Sequence, residues 1–394
     1  MANVSFALVL NLHQPAWNLE DLLQHREWEA KEILWAIDRI PRSLWSYEDV
    51  GRVHLSLSGT LLEILSSPAF QHRVYGMVDC GSLLWYLQNT RIIRILGTAY
   101  YHPVLPLIPR VDWDEQLERW QGIGQHLFHR PSFSGFWPPE MGFCMELIPT
   151  LKRWGYHYVL VDSEHVQPVT PMRWEELRYR PHLARFGGEE IIVVIRDREL
   201  SNAQEGGIEP GWFLQEVLQR TKSCEFPPLV TTGTDGENGG WFRNTSPHAN
   251  FWGYFYQGLM ERVRANQSGG IYPVFIDEYL ARYGAHGKVS VGPGAWNPGW
   301  HHGTPASSNG QVRRRSRRPS SGLPRSARPY TPRAATPSPF HLRTPSSTGG
   351  SKKPIGESSE RRPAATSSGA KHGFPAPTTT STRPAACLTK PGRT

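Results

Sequence analysis

Residues Ser5–Leu12 read SFALVLNL, and His13-Gln14-Pro15 follows at once. Near-continuous apolar residues of this length are typical of a parallel strand that is covered on both faces. In barrels of alternating strands and helices, functional sites lie at the carboxyl ends of the strands. His13 and Gln14 are therefore candidate site residues. The alternative for His13 is a capping or core histidine.

Six further apolar stretches have the composition of strands, namely residues 53–60, 91–96, 133–137, 156–162, 191–195 and 229–232. Stretches with helical spacing stand between them, and the clearest are residues 20–47 and 112–128. Seven units of strand followed by helix predict an α/β barrel.

A single carboxylate stands out in residues Gly135–Phe143, which read GFWPPEMGF. Glu140 follows a Trp-Pro-Pro segment, and prolines in series extend neither a helix nor a central strand, so the connection is rigid. A carboxylate on a stiff, aromatic-lined loop is well placed to meet a sugar ring. The alternative is a solvated loop glutamate beside a core tryptophan.

A second pair of acids follows the last predicted strand. Residues Leu229–Trp241 run into a glycine-rich turn that carries Asp235 and Glu237. Ordinary turn chemistry is the alternative for Asp235 taken alone. Together with Glu140, however, the pattern suggests two carboxylates at strand ends. Glycoside cleavage needs such a pair, one to attack or stabilise the anomeric carbon and one to protonate the leaving oxygen.

Five short motifs, in this order, resemble those of glycoside hydrolase family 57. They are His13-Gln14-Pro15, Arg94–Pro103, Trp137–Glu140, Asp235–Glu237 and Gly294–Gly303. Members of that family act on α-glucans as amylases, branching enzymes, glucanotransferases or related α-glycosidases. The resemblance implies a distorted (β/α)7 barrel, a relative of the eight-stranded (TIM) barrel. It also implies that Glu140 is the nucleophile and Asp235 the general acid/base.

Several side chains in or near the motifs are candidates for binding the glucan. We expect His13 and Trp137 to hold the sugar ring. The other candidates are Gln14, Tyr100, His102, Glu237, Trp241 and Trp296. For Tyr100, packing on the barrel rim is an equally good interpretation.

Charged side chains stand at two further positions near the motifs and strand ends. The second motif has Arg94 where the family usually has a glutamate, which would replace an acid near the substrate with a cation. Arg196 and Asp197 follow a predicted strand. They either brace the catalytic pair or form a plain ion pair on the rim.

The composition changes abruptly after Gly303. Of 43 lysines and arginines, 17 lie in residues 304–394 with only 2 of the 35 acidic residues, so residues 1–303 carry 26 basic and 33 acidic side chains. All 15 tryptophans precede residue 301. We therefore predict three parts: a barrel in residues 1–245, a partial helical region that contributes to the site in residues 246–303, and a disordered basic tail in residues 304–394. The tail is interpreted as a shifted reading frame, with a polyanion-binding tail as the alternative.

The sequence lacks the features that are typical of disulfide-rich, membrane-spanning and metal-binding proteins. The cysteines, at positions 80, 144, 224 and 387, form no Cys-x-x-Cys pair, which favours reduced thiols in the cytoplasm. Residues 1–10 are too short for a secretory signal, and no apolar run of about 18 residues is present, so we expect a soluble protein without a membrane partner.

His301 and His302 raise a metal hypothesis, but no third ligand at a fixed spacing accompanies them. We expect neither a metal nor a cofactor.

The function predicted from these observations is a retaining glycoside hydrolase or glucanotransferase acting on α-glucans. Two other classes stay open: a catalytically inactive carbohydrate-binding relative, and a metal-dependent polysaccharide deacetylase. A nucleic-acid partner is not expected, because that role would rest on the tail alone. Neither the oligomeric state nor the choice between hydrolysis and transfer follows from the sequence.

Overall fold

The computed structural model describes residues 3–205, 207–236 and 251–296. Backbone contacts divide the chain into Met1–Pro319 and Ser320–Thr394, and all described residues belong to the first unit. The predicted tail therefore lies outside the described residues, as do Glu237, Trp241, His301 and His302.

The strands in the described ranges are β1 (Val4–Leu12), β2 (Val53–Leu57), β3 (Ile93–Leu96), β4 (Gly135–Phe136), β5 (Tyr158–Asp162), β6 (Val166–Pro168), β7 (His182–Phe186), β8 (Glu189–Arg196), β9 (Leu229–Asp235), β10 (Ile271–Pro273) and β11 (Val289–Val291). The α-helices are α1 (Asn18–His25), α2 (Glu27–Leu44), α3 (Gly59–Ser66), α4 (Pro68–Arg73), α5 (Cys80–Asn89), α6 (Trp113–Phe128), α7 (Ile148–Arg153), α8 (Trp174–Tyr179), α9 (Arg198–Glu205), α10 (Pro210–Thr221), α11 (Gln257–Arg264) and α12 (Ile276–Tyr283). A π-helix, Phe251–Tyr256, precedes α11.

Seven of the strands form a nearly closed barrel. They lie in the order β3-β2-β1-β9-β8-β5-β4, and each neighbouring pair is parallel. The two ends of this row meet where Gly97, just after β3, bridges to Phe136 in β4. There the Gly97 N–H donates to the Gly135 carbonyl at 2.9 Å, and the Trp137 N–H donates to the Gly97 carbonyl at 2.8 Å. These are the seven strands predicted from the sequence, and the predicted barrel is confirmed.

Strand β1 lies at the centre of the row, which explains its sequence. All nine of its residues are buried, because β2 and β9 flank it and its two faces pack on helices and on the barrel interior. Its register places Asn11 directly opposite Asp235 at the end of β9. The carboxyl end of β1 therefore meets one of the two predicted catalytic acids.

The segment predicted as a partial helical region is not purely helical. It contains β10, which extends the barrel sheet by pairing in parallel with the start of β1, from Val4↔Ile271 to Phe6↔Pro273. It also contains β11, which pairs with β6. The predicted boundary at residue 245 lies outside the described residues and stays a prediction; the described residues 251–296 hold strands as well as helices. Strands of three residues leave too little periodicity in the sequence to be recognised.

The described part of the chain holds no helix that combines the length and apolar character needed to cross a bilayer. Its three cysteines, Cys80, Cys144 and Cys224, are buried free thiols.

Candidate active site

A cavity of about 330 Å³ lies at the carboxyl ends of the barrel strands. Its wall combines residues at or just after the carboxyl ends of β1, β3, β4 and β9 with one residue of α1 and two of α2. The lining residues are Asn11, His13, Gln14, Pro15, Asn18, Glu29, Ile33, His102, Glu140 and Asp235. Both predicted catalytic carboxylates therefore face the same cavity.

Glu140 sits on a short turn after β4 with an unusual backbone. Its φ is 54° and that of Met141 is 52°, the left-handed region that residues with a Cβ seldom adopt. Trp296 holds this conformation: its backbone N–H donates to the Glu140 carbonyl at 3.0 Å, and its Nε1 donates to Glu140 Oε2 at 2.9 Å. Strain of this kind at a cavity-lining acid persists only where the surroundings enforce it, and it is common at functional sites.

The charge of Glu140 is stabilised where it sits. Glu140 Oε1 lies 3.6 Å from His102 Nε2. The interaction with His102, supported by the Trp296 N–H, lowers the pKa of Glu140 below its ordinary value even though burial opposes this. The side chain is 47% exposed toward the cavity. Glu140 is thus an ionised, accessible carboxylate at neutral pH.

Asp235 is in the opposite electrostatic situation. Burial raises its pKa from 3.8 to about 7; the negative charge of Glu140 adds to this, while the Asn11 amide works against it. Asn11 Nδ2 donates to Asp235 Oδ1 at 3.3 Å. A carboxyl group with this pKa carries a proton for much of the time near neutral pH, and it can give that proton away.

Two histidines stack face to face in the cavity. The rings of His13 and His102 lie 4.1 Å apart with an interplanar angle of 11°. Burial, with a smaller effect from His102, lowers the pKa of His13 to about 3, so its imidazole is neutral at neutral pH. A neutral imidazole can donate one hydrogen bond and accept another, which suits sugar hydroxyls. His102 also has a positive φ, 57°.

Gln14 lines the cavity, and its side chain is oriented by a neighbour. Asn18 Nδ2 donates to Gln14 Oε1 at 2.8 Å, and the Thr60 hydroxyl donates to the Gln14 backbone carbonyl. Because Asn18 engages the amide oxygen, the side-chain nitrogen of Gln14 is the atom that can donate hydrogen bonds to a ligand.

The two tryptophans of the motifs have different positions. Trp137 is 0% exposed and packs edge-on against Trp296, with ring centroids 5.4 Å apart. A fully buried ring offers no face to a sugar, so the expectation that Trp137 holds the substrate is corrected. Trp137 instead supports Trp296, which in turn fixes Glu140.

Tyr100 does not line the cavity. Its ring packs so closely on α3 that a Cβ at Gly59 would lie 2.1 Å from it. Its hydroxyl donates to Glu63 Oε2 at 2.8 Å. The structure therefore has Tyr100 in the packing role that was the alternative to sugar binding.

Arg94 is also remote from the cavity. As the second residue of β3, it lies toward the amino-terminal end of the barrel, where its guanidinium stacks on Phe275 at 4.6 Å. Its Nε is 3.4 Å from Asp277 Oδ2. The expected cation beside the substrate is therefore absent at this position, because the start of a strand and its end face opposite sides of the barrel.

Arg196 connects β9, which carries Asp235, with Asp162 of β5 and with the Trp296 ring. It is 3% exposed, and its Nη1 donates to Asp162 Oδ2 at 2.7 Å while its Nε donates to the Gly233 carbonyl of β9 at 2.6 Å. The guanidinium also lies 5.3 Å from the centre of the Trp296 ring. Arg196 thereby links β8, β9 and the tryptophan that holds Glu140.

Asp197 has a different structural role from Arg196. Its Oδ1 accepts the Leu200 backbone N–H at 3.0 Å at the start of α9, and its Oδ2 accepts the Tyr179 hydroxyl at 3.2 Å. It stabilises the start of the helix after β8, and its Oδ2 also lies 3.5 Å from Arg220 Nη1.

Five lining residues were not among the predicted site residues, and one of them, Pro15, belongs to the first motif. Asn11 could have been found, since it is a polar residue near the end of an otherwise apolar strand. Asn18, Glu29 and Ile33 carry no such signal, because each suits an ordinary amphipathic helix. Within residues 3–205, 207–236 and 251–296, no group of three or more His, Cys, Asp or Glu side chains is arranged to hold a metal ion.

In a comparison with known sequences, residues 11–291 match the sequence profile of Glycosyl hydrolase family 57. An α-amylase of Pyrococcus furiosus is 27% identical over 292 residues, which are 73% of this chain and 40% of the relative. A 4-α-glucanotransferase of Thermococcus litoralis is 26% identical over 295 residues, again 73% of this chain and 40% of the relative. The matched part of the chain thus covers less than half the length of these relatives.

Solved structures share the fold. The crystal structure of the T. litoralis 4-α-glucanotransferase has a TM-score of 0.55 at 22% identity, covering 75% of this chain and 43% of that one. A branching enzyme from Pyrococcus horikoshii has a TM-score of 0.57 at 16% identity, covering 75% and 73%.

Proposed function

The chain belongs to glycosyl hydrolase family 57, and we propose that it cleaves or transfers α-glucosyl units of α-glucans through a covalent intermediate on Glu140, with Asp235 as the general acid/base. The observation that carries the proposal is the opposite perturbation of two carboxyl groups in one cavity. The pKa of Glu140 is lowered and that of Asp235 is raised to about 7. Two acids whose environments separate their pKa values are suited to different roles.

In the first step, the ionised Glu140 carboxylate attacks the anomeric carbon as the glycosidic C–O bond breaks. Asp235 gives its proton to the departing oxygen, and the glucosyl group becomes esterified to Glu140. The hydrogen bond from Trp296 orients the nucleophile. The stacked His13 and His102 would contact the hydroxyls of the bound ring.

In the second step, Asp235 acts as a base. It takes a proton from a water molecule or from a sugar hydroxyl, whose oxygen then attacks the anomeric carbon and releases Glu140. Water gives hydrolysis, and a sugar gives transfer. The relatives named α-amylase and 4-α-glucanotransferase support both outcomes equally. Glu237 and Trp241 remain predicted substrate contacts outside the described residues.

The first experiment measures release of reducing sugar from amylose and redistribution of maltooligosaccharide lengths, with the full chain and with Glu140→Gln. We expect glucan cleavage or disproportionation by the unmodified chain and its loss, by at least about a thousandfold, in Glu140→Gln. Equal activity of the two proteins would exclude Glu140 as the nucleophile. A folded chain inactive on all α-glucans would support the inactive carbohydrate-binding alternative.

The pH dependence of kcat/KM provides a second check. The Asp235 pKa predicts that activity falls as pH rises through about 7, because the acid loses its proton. The acidic side of the profile belongs to Glu140 and should lie below the ordinary range of a glutamate. A cytoplasmic location also stays a prediction, resting on the free thiols.

A further inference from the structure

A second cavity lies toward the amino-terminal end of the barrel, away from the two catalytic acids. We call it the lower cavity. It has a volume of about 280 Å³ and is lined by Arg94, Ile95, Arg130, Pro131, Ser132, Phe133, Ser134 and Asp277. It shares no lining residue with the cavity that holds Glu140 and Asp235.

The charges of the lower cavity do not balance. Asp277 is its one carboxylate among the described lining residues, and it is already engaged: Oδ1 accepts the Ser134 hydroxyl at 2.6 Å, and Oδ2 is 3.4 Å from Arg94 Nε. Arg130 has no carboxylate within 4.0 Å in the described part of the chain. A third arginine, Arg52, lies 5.5 Å from the Phe275 ring on which Arg94 stacks.

Arg130 is held in a half-buried position close enough to Arg94 for the two charges to interact. Burial and then the charge of Arg94 lower the pKa of Arg130, although an arginine remains protonated at any physiological pH. Two guanidinium groups facing one cavity with a single engaged carboxylate make a site that an anion would stabilise. A guanidinium offers paired N–H donors that match the oxygens of a phosphate group.

The wall of the lower cavity is rigid. This distinguishes the cavity from two surface arginines that lie close together by chance. The Ser134 backbone carbonyl accepts the N–H groups of His157 at 2.7 Å and Tyr158 at 3.2 Å. Phe133 is buried and packs edge-on against Trp120, with centroids 4.8 Å apart. Gln125 Nε2 donates to the Pro131 carbonyl at 2.9 Å. The segment that carries Arg130 is therefore fixed at several points.

We propose that the lower cavity is a binding site for a small oxyanion of the phosphate or phosphate-ester class, held between the guanidinium groups of Arg94 and Arg130. The hydroxyl of Ser132 at the open rim supplies a further polar group. The volume suits a small molecule, being close to the lower end of the range for ligand sites. A neutral sugar would leave the excess positive charge uncompensated.

The test uses isothermal titration calorimetry on the full chain at constant ionic strength. Inorganic phosphate and glucose 6-phosphate are the two probes, and potassium chloride is the blank. The variants are Arg130→Gln, Arg130→Lys and the matched control Arg173→Gln. Arg173 is a half-exposed arginine 3.8 Å from Glu225 and lines neither cavity. Because Arg130 forms no ion pair with any residue that the structure describes, the far-ultraviolet circular dichroism of Arg130→Gln should match that of the unmodified chain.

We expect at least one probe to bind the unmodified chain and Arg173→Gln equally. Arg130→Gln should weaken that binding by at least about tenfold, as expected from losing one charge-assisted donor group, and Arg130→Lys should lose less. Equal affinity for the two probes would identify the oxyanion alone as the ligand; tighter binding of glucose 6-phosphate would identify an ester. Failure of both probes to bind, or binding that Arg130→Gln leaves unchanged, would overturn the proposal. Binding at the catalytic cavity would give that unchanged result, so the outcome is independent of the proposed catalysis.

Discussion

Replacing Asp235 with asparagine should remove activity and stabilise the fold at the same time. The folded-state pKa of about 7 lies about three units above the ordinary value of 3.8. Between these pH values the folded state binds the proton more tightly than the unfolded state does, so this group's contribution to stability falls as pH rises from about 4 to 7. At 1.36 kcal/mol per unit, the ionised carboxylate lowers the free energy of unfolding by about 4 kcal/mol at pH 7 and above. The neutral amide of asparagine carries no such cost.

The assay is thermal unfolding of the unmodified chain and Asp235→Asn at a series of pH values. We expect the variant to unfold at a temperature higher by roughly 5–10 °C at pH 7–8, with the difference closing toward pH 4. Glu140→Gln is the matched control of opposite sign, because a lowered folded-state pKa makes the ionised form stabilising above the ordinary pKa. It should be less stable than the unmodified chain at pH 7. An advantage for Asp235→Asn that does not change with pH, or no advantage at pH 8, would refute the electrostatic reasoning.

Three further substitutions test the residues that contact the two acids or stabilise the segments around them. Trp296→Phe removes the 2.9 Å hydrogen bond to Glu140, so we expect kcat/KM to fall about tenfold and its acidic limb to move to higher pH; an unmoved limb would show that Trp296 does not affect the nucleophile. Asn11→Ala removes a donor that favours the ionised form of Asp235, so the basic limb should move to higher pH; a shift to lower pH would contradict the contact. Arg196→Met removes one of the two arginines that pair with the buried Asp162 carboxylate, leaving Arg198 at 2.8 Å; urea unfolding should show a loss of about 2–3 kcal/mol, whereas a loss below about 1 kcal/mol would argue against the buried pair.

Some parts of the fold were predictable because their signals are local. The uninterrupted apolar run of β1 indicates a strand covered on both faces, and the structure has it buried along its whole length between β2 and β9. Strand β10 was not predictable, because its three residues end at Pro273 and its pairing with β1 joins segments more than 260 residues apart.

In the candidate site, too, the residues with a local sequence signal were predictable and the packing between distant residues was not. The sequence points to Glu140 and Asp235 because each follows a strand in a recognisable motif. It does not distinguish the buried Trp137 from the Trp296 that contacts Glu140, since that depends on how the two rings pack. The position of Arg94 could have been inferred from strand direction: it lies near the start of a strand, whereas the two acids lie at or just after strand ends.

The most direct measurement of the central claim is the capture of the covalent intermediate. The full chain would be incubated with 5-fluoro-α-glucosyl fluoride, whose leaving group needs no acid, and its peptides would be analysed by mass spectrometry. The account predicts a fluoroglucosyl adduct on the peptide that contains Glu140, and no adduct in Glu140→Gln. An adduct on a different carboxylate, or turnover of glucan that inverts the anomeric configuration, would contradict it.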